Sequence, residues 1–152
     1  MENKVKDLKQ KIIKFDYDKN FNDKDYYVSN CNKGVFNLIN LWPKWEKNLL
    51  NIVGESFSGK THLINIFINK YKGIKYESDL LNHDHLKEIK PHQNIILENF
   101  RNNINENLMY SLINLIEQDN KYLIITSRVP LVEIDFKLND LKSRSKNFLL
   151  QK

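Results

Sequence analysis

Gly54-Glu55-Ser56-Phe57-Ser58-Gly59-Lys60-Thr61 decides how this sequence is read. It satisfies the pattern G-x-x-x-x-G-K-[ST] in full, and it lies between the two elements that pattern requires. Upstream, Leu49 to Val53 is a short apolar run of strand-forming residues leading straight into Gly54. Downstream, Leu63, Ile64, Ile66, Phe67 and Tyr71 fall on one helical face, which Gly73 closes. Strand, glycine-rich turn and helix start together make a phosphate cradle. The glycines permit a tight turn that points successive N–H groups inward, and the helix N-terminus adds partial positive charge. In such a cradle Lys60 reaches the β- and γ-phosphates of a bound nucleotide, and the Thr61 hydroxyl ligates magnesium. All eight residues are therefore expected contacts for ATP or ADP with Mg2+.

The rest of the chain alternates strand and helix signals around this loop. Val35, Phe36, Leu38, Ile39 and Trp42 have helical spacing, with Pro43 as the stop. Ile74 to Tyr76 reads as a second strand, and the polar stretch from Ser78 to Gln93 as a short helix plus loop. Ile95 to Leu97 is a compact buried strand. Leu108, Leu112, Ile113, Leu115 and Ile116 form an amphipathic helix ending near Asp119 and Asn120. Tyr122 to Thr126 is the next strand, Leu138 to Arg144 a short helix, and Phe148 to Leu150 a last strand. The expected fold is an α/β P-loop domain, a mostly parallel five-stranded sheet sandwiched by helices. Residues 1–25 read as a polar N-terminal extension and 26–152 as the nucleotide-binding core.

Ile95-Ile96-Leu97-Glu98-Asn99 has the form of a Walker B strand, whose terminal acid holds magnesium through water. Glu98 fits that role. Asn99 stands where a second acid often orients the attacking water, and an amide cannot act as a base. Ser127, in Thr126-Ser127-Arg128, is placed either to sense the γ-phosphate or to cap the loop before Pro130.

Composition narrows the setting. With 152 residues, 41% hydrophobic and 28% charged, the chain suits one domain with its own core. No membrane span or signal peptide is apparent, and one cysteine, Cys31, fits a reducing cytoplasmic setting. The net charge of +5 raises the question of DNA contact, but the lysines are scattered and the absence of any alanine points to compositional bias. His83-Asp84-His85 reads as a solvated loop, and Trp42 and Trp45 as packing against the sheet.

Taken in order, several motifs resemble the AAA+ core of the bacterial replication initiator DnaA, and more closely its short Hda-type regulatory relatives. They are Tyr27-Val28-Ser29-Asn30-Cys31-Asn32, Trp42-Pro43-Lys44-Trp45, Gly54 to Leu63 including His62, and Leu97-Glu98-Asn99. Further on come Leu112-Ile113-Asn114-Leu115, Ile125-Thr126-Ser127-Arg128-Val129-Pro130 and Leu138-Asn139-Asp140-Leu141-Lys142-Ser143-Arg144. The resemblance implies that the backbone around Tyr27 and Val28 borders the adenine, that His62 belongs to the nucleotide loop, and that Arg144 is an arginine finger acting in trans. It implies, as partners, a DnaA-type initiator and the sliding clamp, the latter bound by a Q-x-x-[LI]-x-F peptide that Gln10, Ile13 and Phe15 match. Assembly with further copies of the chain is compatible with it. Family members continue into a helical lid, and the core expected here, ending at Lys152, has none. The resemblance thus implies a module that promotes hydrolysis of initiator-bound ATP and has weak or no ATPase activity of its own. Three other readings stay open: an autonomous P-loop NTPase, a helicase-loader-like ATPase, and an interaction module that needs no nucleotide.

Overall fold

A computed structural model describes residues 28–30, 32–56 and 58–152. Tyr27, Cys31, Phe57 and the segment from Gln10 to Phe15 lie outside the described residues. The elements, in chain order, are α1 (Lys33–Asn40), β1 (Leu49–Val53), α2 (Lys60–Tyr71), β2 (Ile74–Glu77), α3 (His85–Glu88), β3 (Asn94–Phe100), α4 (Glu106–Gln118), β4 (Tyr122–Ser127), α5 (Asn139–Ser145) and β5 (Leu149–Gln151). The five strands form one sheet in the order β2-β3-β4-β1-β5, with every pairing parallel. Parallel neighbours need crossover connections, and the intervening helices supply them on both faces.

Side-chain alternation along the strands divides the core in two. Leu50 and Ile52 of β1, Ile96 of β3 and Ile124 of β4 meet Leu63, Ile64 and Phe67 of α2 and Val35 and Ile39 of α1. Leu49, Ile95, Leu97, Leu123 and Ile125 face the other way, against Leu108, Leu112, Ile113 and Ile116 of α4 and Leu141 of α5. β1 is buried along its whole length because it has strands on both sides and helices on both faces. Trp45 stacks on Phe67 at 5.8 Å, and its Nε1 donates to the Leu38 carbonyl at 2.6 Å. The tryptophans thus secure α1 and the following turn to the sheet. α1 ends at Asn40, before Trp42, because the chain enters a turn there and Pro43 comes after the helix has already closed.

β3 is longer than the apolar pattern predicts, running through Glu98 and Asn99 to Phe100. Its pairing with β4 shifts register between Leu97 and Phe100, and Asn99 has φ 56. This bulge turns Asn99 toward the end of the sheet where β1 and β4 also finish.

One buried polar residue ties those strand ends together. Asn51 is 1% exposed; its Nδ2 donates to the Ile125 carbonyl at 3.1 Å and the Ser127 Oγ at 2.9 Å, while its Oδ1 accepts from the Leu131 N–H at 3.0 Å. Asn51→Leu keeps the branched outline of the side chain but removes all three bonds, including the acceptor for the Leu131 N–H. A loss of about 2 kcal/mol is expected, read as a lower urea midpoint with an unchanged slope. An unchanged midpoint would show that Asn51 does not organise this end of the sheet.

Candidate functional site

The loop after β1 is shaped by its two glycines. The Gly54 N–H donates to the Ser127 carbonyl at 3.1 Å, which fixes the start of the loop to the end of β4. A Cβ on Gly54 would lie 2.7 Å from the Ser58 Oγ, so a side chain there would force the Ser58 hydroxyl to turn away. Gly59 has φ 89, the left-handed region that other residues avoid, and it precedes the first residue of α2. The first N–H groups of a helix find no acceptor within it, so α2 opens onto this loop with donors facing outward.

Lys60 folds back over the loop. Its Nζ donates to the Gly54 carbonyl at 2.5 Å, the Glu55 carbonyl at 2.6 Å and the Ser58 Oγ at 3.2 Å. Burial holds its pKa below the usual 10.5; the Glu55 carboxylate opposes that shift, Arg128 adds to it, and Glu98 again opposes it. An ammonium that is partly desolvated and held by neutral carbonyls has much to gain from an anion.

A cavity of about 520 Å³ opens above this loop. Gly59, Lys60 and Thr61 line it from the loop side, Asn99 and Arg101 from the end of β3, and Ser127 and Arg128 from the end of β4. Three positive side chains therefore converge on one space. Arg101 and Arg128 were not read as site residues from the sequence, because an arginine just past a strand is ordinarily solvated. Arg128 reaches Glu55 at 3.3 Å, but both groups are exposed, so the pair is weak and leaves Arg128 free to exchange it for a phosphate. The Ser127 hydroxyl donates to the Val129 carbonyl at 2.8 Å and accepts from Asn51, so it does cap the loop before Pro130 while also facing the cavity.

A second cavity, about 310 Å³, shares Ser58 and Lys60 with the first and continues toward Ser29, Asn32 and Val35. The Asn32 Oδ1 accepts from the Ser29 N–H at 2.7 Å, shaping the entry to α1. Val28, which is exposed, directly precedes this turn. His62 lies in the first turn of α2, just past the loop.

Glu98 lies within β3, which the apolar pattern ends at Leu97, and in company the sequence does not announce. It is 2% exposed and does not line the larger cavity, which its neighbour Asn99 does. Its Oε2 lies 3.1 Å from the Nζ of Lys75 on β2, and Lys75 also donates to the Oδ1 of Asn65 on α2 at 3.1 Å. The other carboxylate oxygen, Oε1, is buried with no hydrogen-bond partner. An unpartnered carboxylate oxygen on β3 and the Thr61 hydroxyl at the start of α2 are both oxygen donors of the kind a hydrated Mg2+ takes. Asn99 donates its amide to Glu77 Oε2 at 3.0 Å, and its backbone N–H to Thr126 Oγ1 at 3.0 Å.

Arg144 lines neither cavity. On α5 it pairs with Glu117 of α4 and lies over the Tyr110 ring, 5.2 Å from its centre. No helix among the described residues is long and apolar enough to cross a membrane.

Solved structures supply the comparison. AMPPCP-bound DnaA from Aquifex aeolicus superposes with a TM-score of 0.74 at 17% identity, over 87% of this chain and 49% of that one. The likeness is one of fold, an α/β domain built on a five-stranded parallel sheet. Domain III of the Thermotoga maritima replication initiation protein DnaA gives 0.69 at 16% identity, over 87% of this chain and 66% of that one. DnaI gives 0.65 at 11% identity, over 84% and 85%. The chain thus spans about half of the Aquifex structure. No family model matches the sequence, and no curated protein matches it.

The loop geometry yields a direct check. Gly59→Ala forces a side chain into left-handed backbone and is expected to cost about 1–2 kcal/mol, measured by urea unfolding. A gain in stability, as for glycine to alanine in an ordinary helix, would contradict the assigned conformation.

Proposed function

We propose that this chain is a nucleotide-holding regulator related to DnaA, acting in the control of replication initiation. It binds ADP or ATP with the phosphates in the larger cavity and the adenosine toward Ser29 and Asn32. It docks on the sliding clamp through Gln10, Ile13 and Phe15, and presents Arg144 to ATP held by an initiator molecule. The observation that carries the reading is the convergence of Lys60, Arg101 and Arg128 on one cavity above an open helix N-terminus, within an AAA+ fold. Likeness to AMPPCP-bound DnaA supports the choice of nucleotide.

Within the site, backbone donors of the loop and α2 bind the phosphates, and Lys60 leaves its carbonyl partners to neutralise them. Arg128 exchanges Glu55 for a phosphate oxygen. When bound, Mg2+ supplies further neutralisation between the phosphates, with Thr61 and Glu98 as the residues that hold it. Asn99 is an amide already committed to Glu77, so no base stands at that position and turnover by the chain itself is slow. Arg144 is pre-oriented by Glu117 and Tyr110. A finger of this kind supplied in trans raises hydrolysis by roughly 10³–10⁵-fold, enough for one positioned side chain to act as the switch.

Calorimetric titration with ADP tests the site. Lys60→Ala is expected to weaken binding at least tenfold; equal affinity for wild type and variant would contradict it. The trans role is tested in a reconstituted clamp–DNA assay, where Arg144→Ala should abolish stimulation of initiator ATPase. Stimulation that survives the substitution overturns that role. For the docking peptide, a pull-down compares the intact chain with one lacking residues 1–15. Clamp capture is expected to disappear with the deletion. Capture of the replicative helicase in place of the clamp would favour a helicase-loader-like module built on the same core.

A further inference from the structure

Nucleotide sites of this kind ordinarily pair an anionic Walker B carboxylate with a divalent cation, and here the carboxylate already has a cation of its own. Lys75 lies 3.1 Å from the Glu98 Oε2, with its ammonium also held by the buried Asn65 of α2. The pairing is built into the sheet. β2 and β3 run parallel with Lys75 beside Ile96 and Glu77 beside Glu98, so Lys75 and Glu98 fall on the face that α2 covers. Glu98 is 2% exposed, and water does little to screen the pair.

We infer that Lys75 is an internal counter-ion to Glu98 that makes nucleotide binding largely independent of magnesium. Without Lys75, an unpaired carboxylate would stand behind the phosphate site, near enough to act on Lys60, and would repel the incoming polyphosphate until a divalent cation neutralised both. With Lys75 in place that repulsion is already cancelled. A divalent cation drawn to Glu98 meets a carboxylate whose charge is shared, and gains correspondingly less. The inference rests on the nucleotide reading of the cavity, and it specifies which metal state that nucleotide is bound in.

The test is the ADP dissociation constant in excess Mg2+ and in EDTA, measured by calorimetry on the intact chain. The ratio of the two constants, EDTA over Mg2+, is expected to stay within about threefold for wild type. For Lys75→Met it should rise to tenfold or more, and for the double variant Lys75→Met/Glu98→Gln, which removes both charges, it should return toward the wild-type value. Should Lys75→Met fail to fold, the wild type and the electroneutral double variant decide the matter alone. A wild-type ratio of tenfold or more, or one that Lys75→Met leaves unchanged, overturns the counter-ion role while leaving the nucleotide site intact. No ADP binding in either buffer overturns the nucleotide reading, and the counter-ion role falls with it.

Discussion

The turn from β1 into α2 is the constraint on which the rest of the molecule depends. β1 is the buried centre of a parallel sheet, and α2 must pack back across one face of it through Leu63, Ile64 and Phe67. To reverse direction within so few residues, the chain passes through the left-handed conformation at Gly59 and a close approach of Gly54 to the Ser58 hydroxyl. The same geometry leaves the first donors of α2 facing out, and sets Lys60 where its ammonium bonds to loop oxygens, the Gly54 and Glu55 carbonyls and the Ser58 hydroxyl. One turn thus serves both the chain reversal and the proposed anion binding.

Strand polarity does the remaining assembly. Because every strand is parallel, β1, β3 and β4 all end on the same edge of the sheet, and the loops beyond them are brought together there. Asn51 fixes that edge from beneath by bonding to β4 and to the loop after it. Arg101 and Arg128 follow different strands, β3 and β4, and are distant in sequence, yet they line the same cavity as Lys60. The electrostatics divide by depth. Near the surface the positive groups have weak, exchangeable partners, as Arg128 has in Glu55; below, the buried Glu98 is matched to the half-buried Lys75.

Much of the fold was legible in the sequence because its signals are local and periodic. The strand before Gly54, the helix after Lys60 and the amphipathic helix from Glu106 to Gln118 all declare themselves through spacing, and the five-stranded parallel sheet follows from their alternation. Boundaries drifted where polar residues extend a strand, as at Glu98 and Asn99, since a bulge leaves no mark in hydropathy. The loop and Ser127 were legible as motifs. Lys75, Arg101 and Arg128 were not, because their importance comes from which strands lie side by side, and neighbouring strands here are far apart along the chain. Arg144 was read from resemblance alone. Its anchoring by Glu117 and Tyr110 depends on the packing of α5 on α4, which no local pattern encodes.

The central claim is that this edge of the sheet holds the phosphates of a nucleotide, and backbone amide spectra recorded during an ADP titration test it most directly. Saturable shifts are expected to concentrate at Gly54, Ser58 to Thr61, Arg101 and Arg128, with the amides of α4 and α5 little affected. Shifts absent from Gly59, Lys60 and Thr61 at saturating ADP would contradict the account.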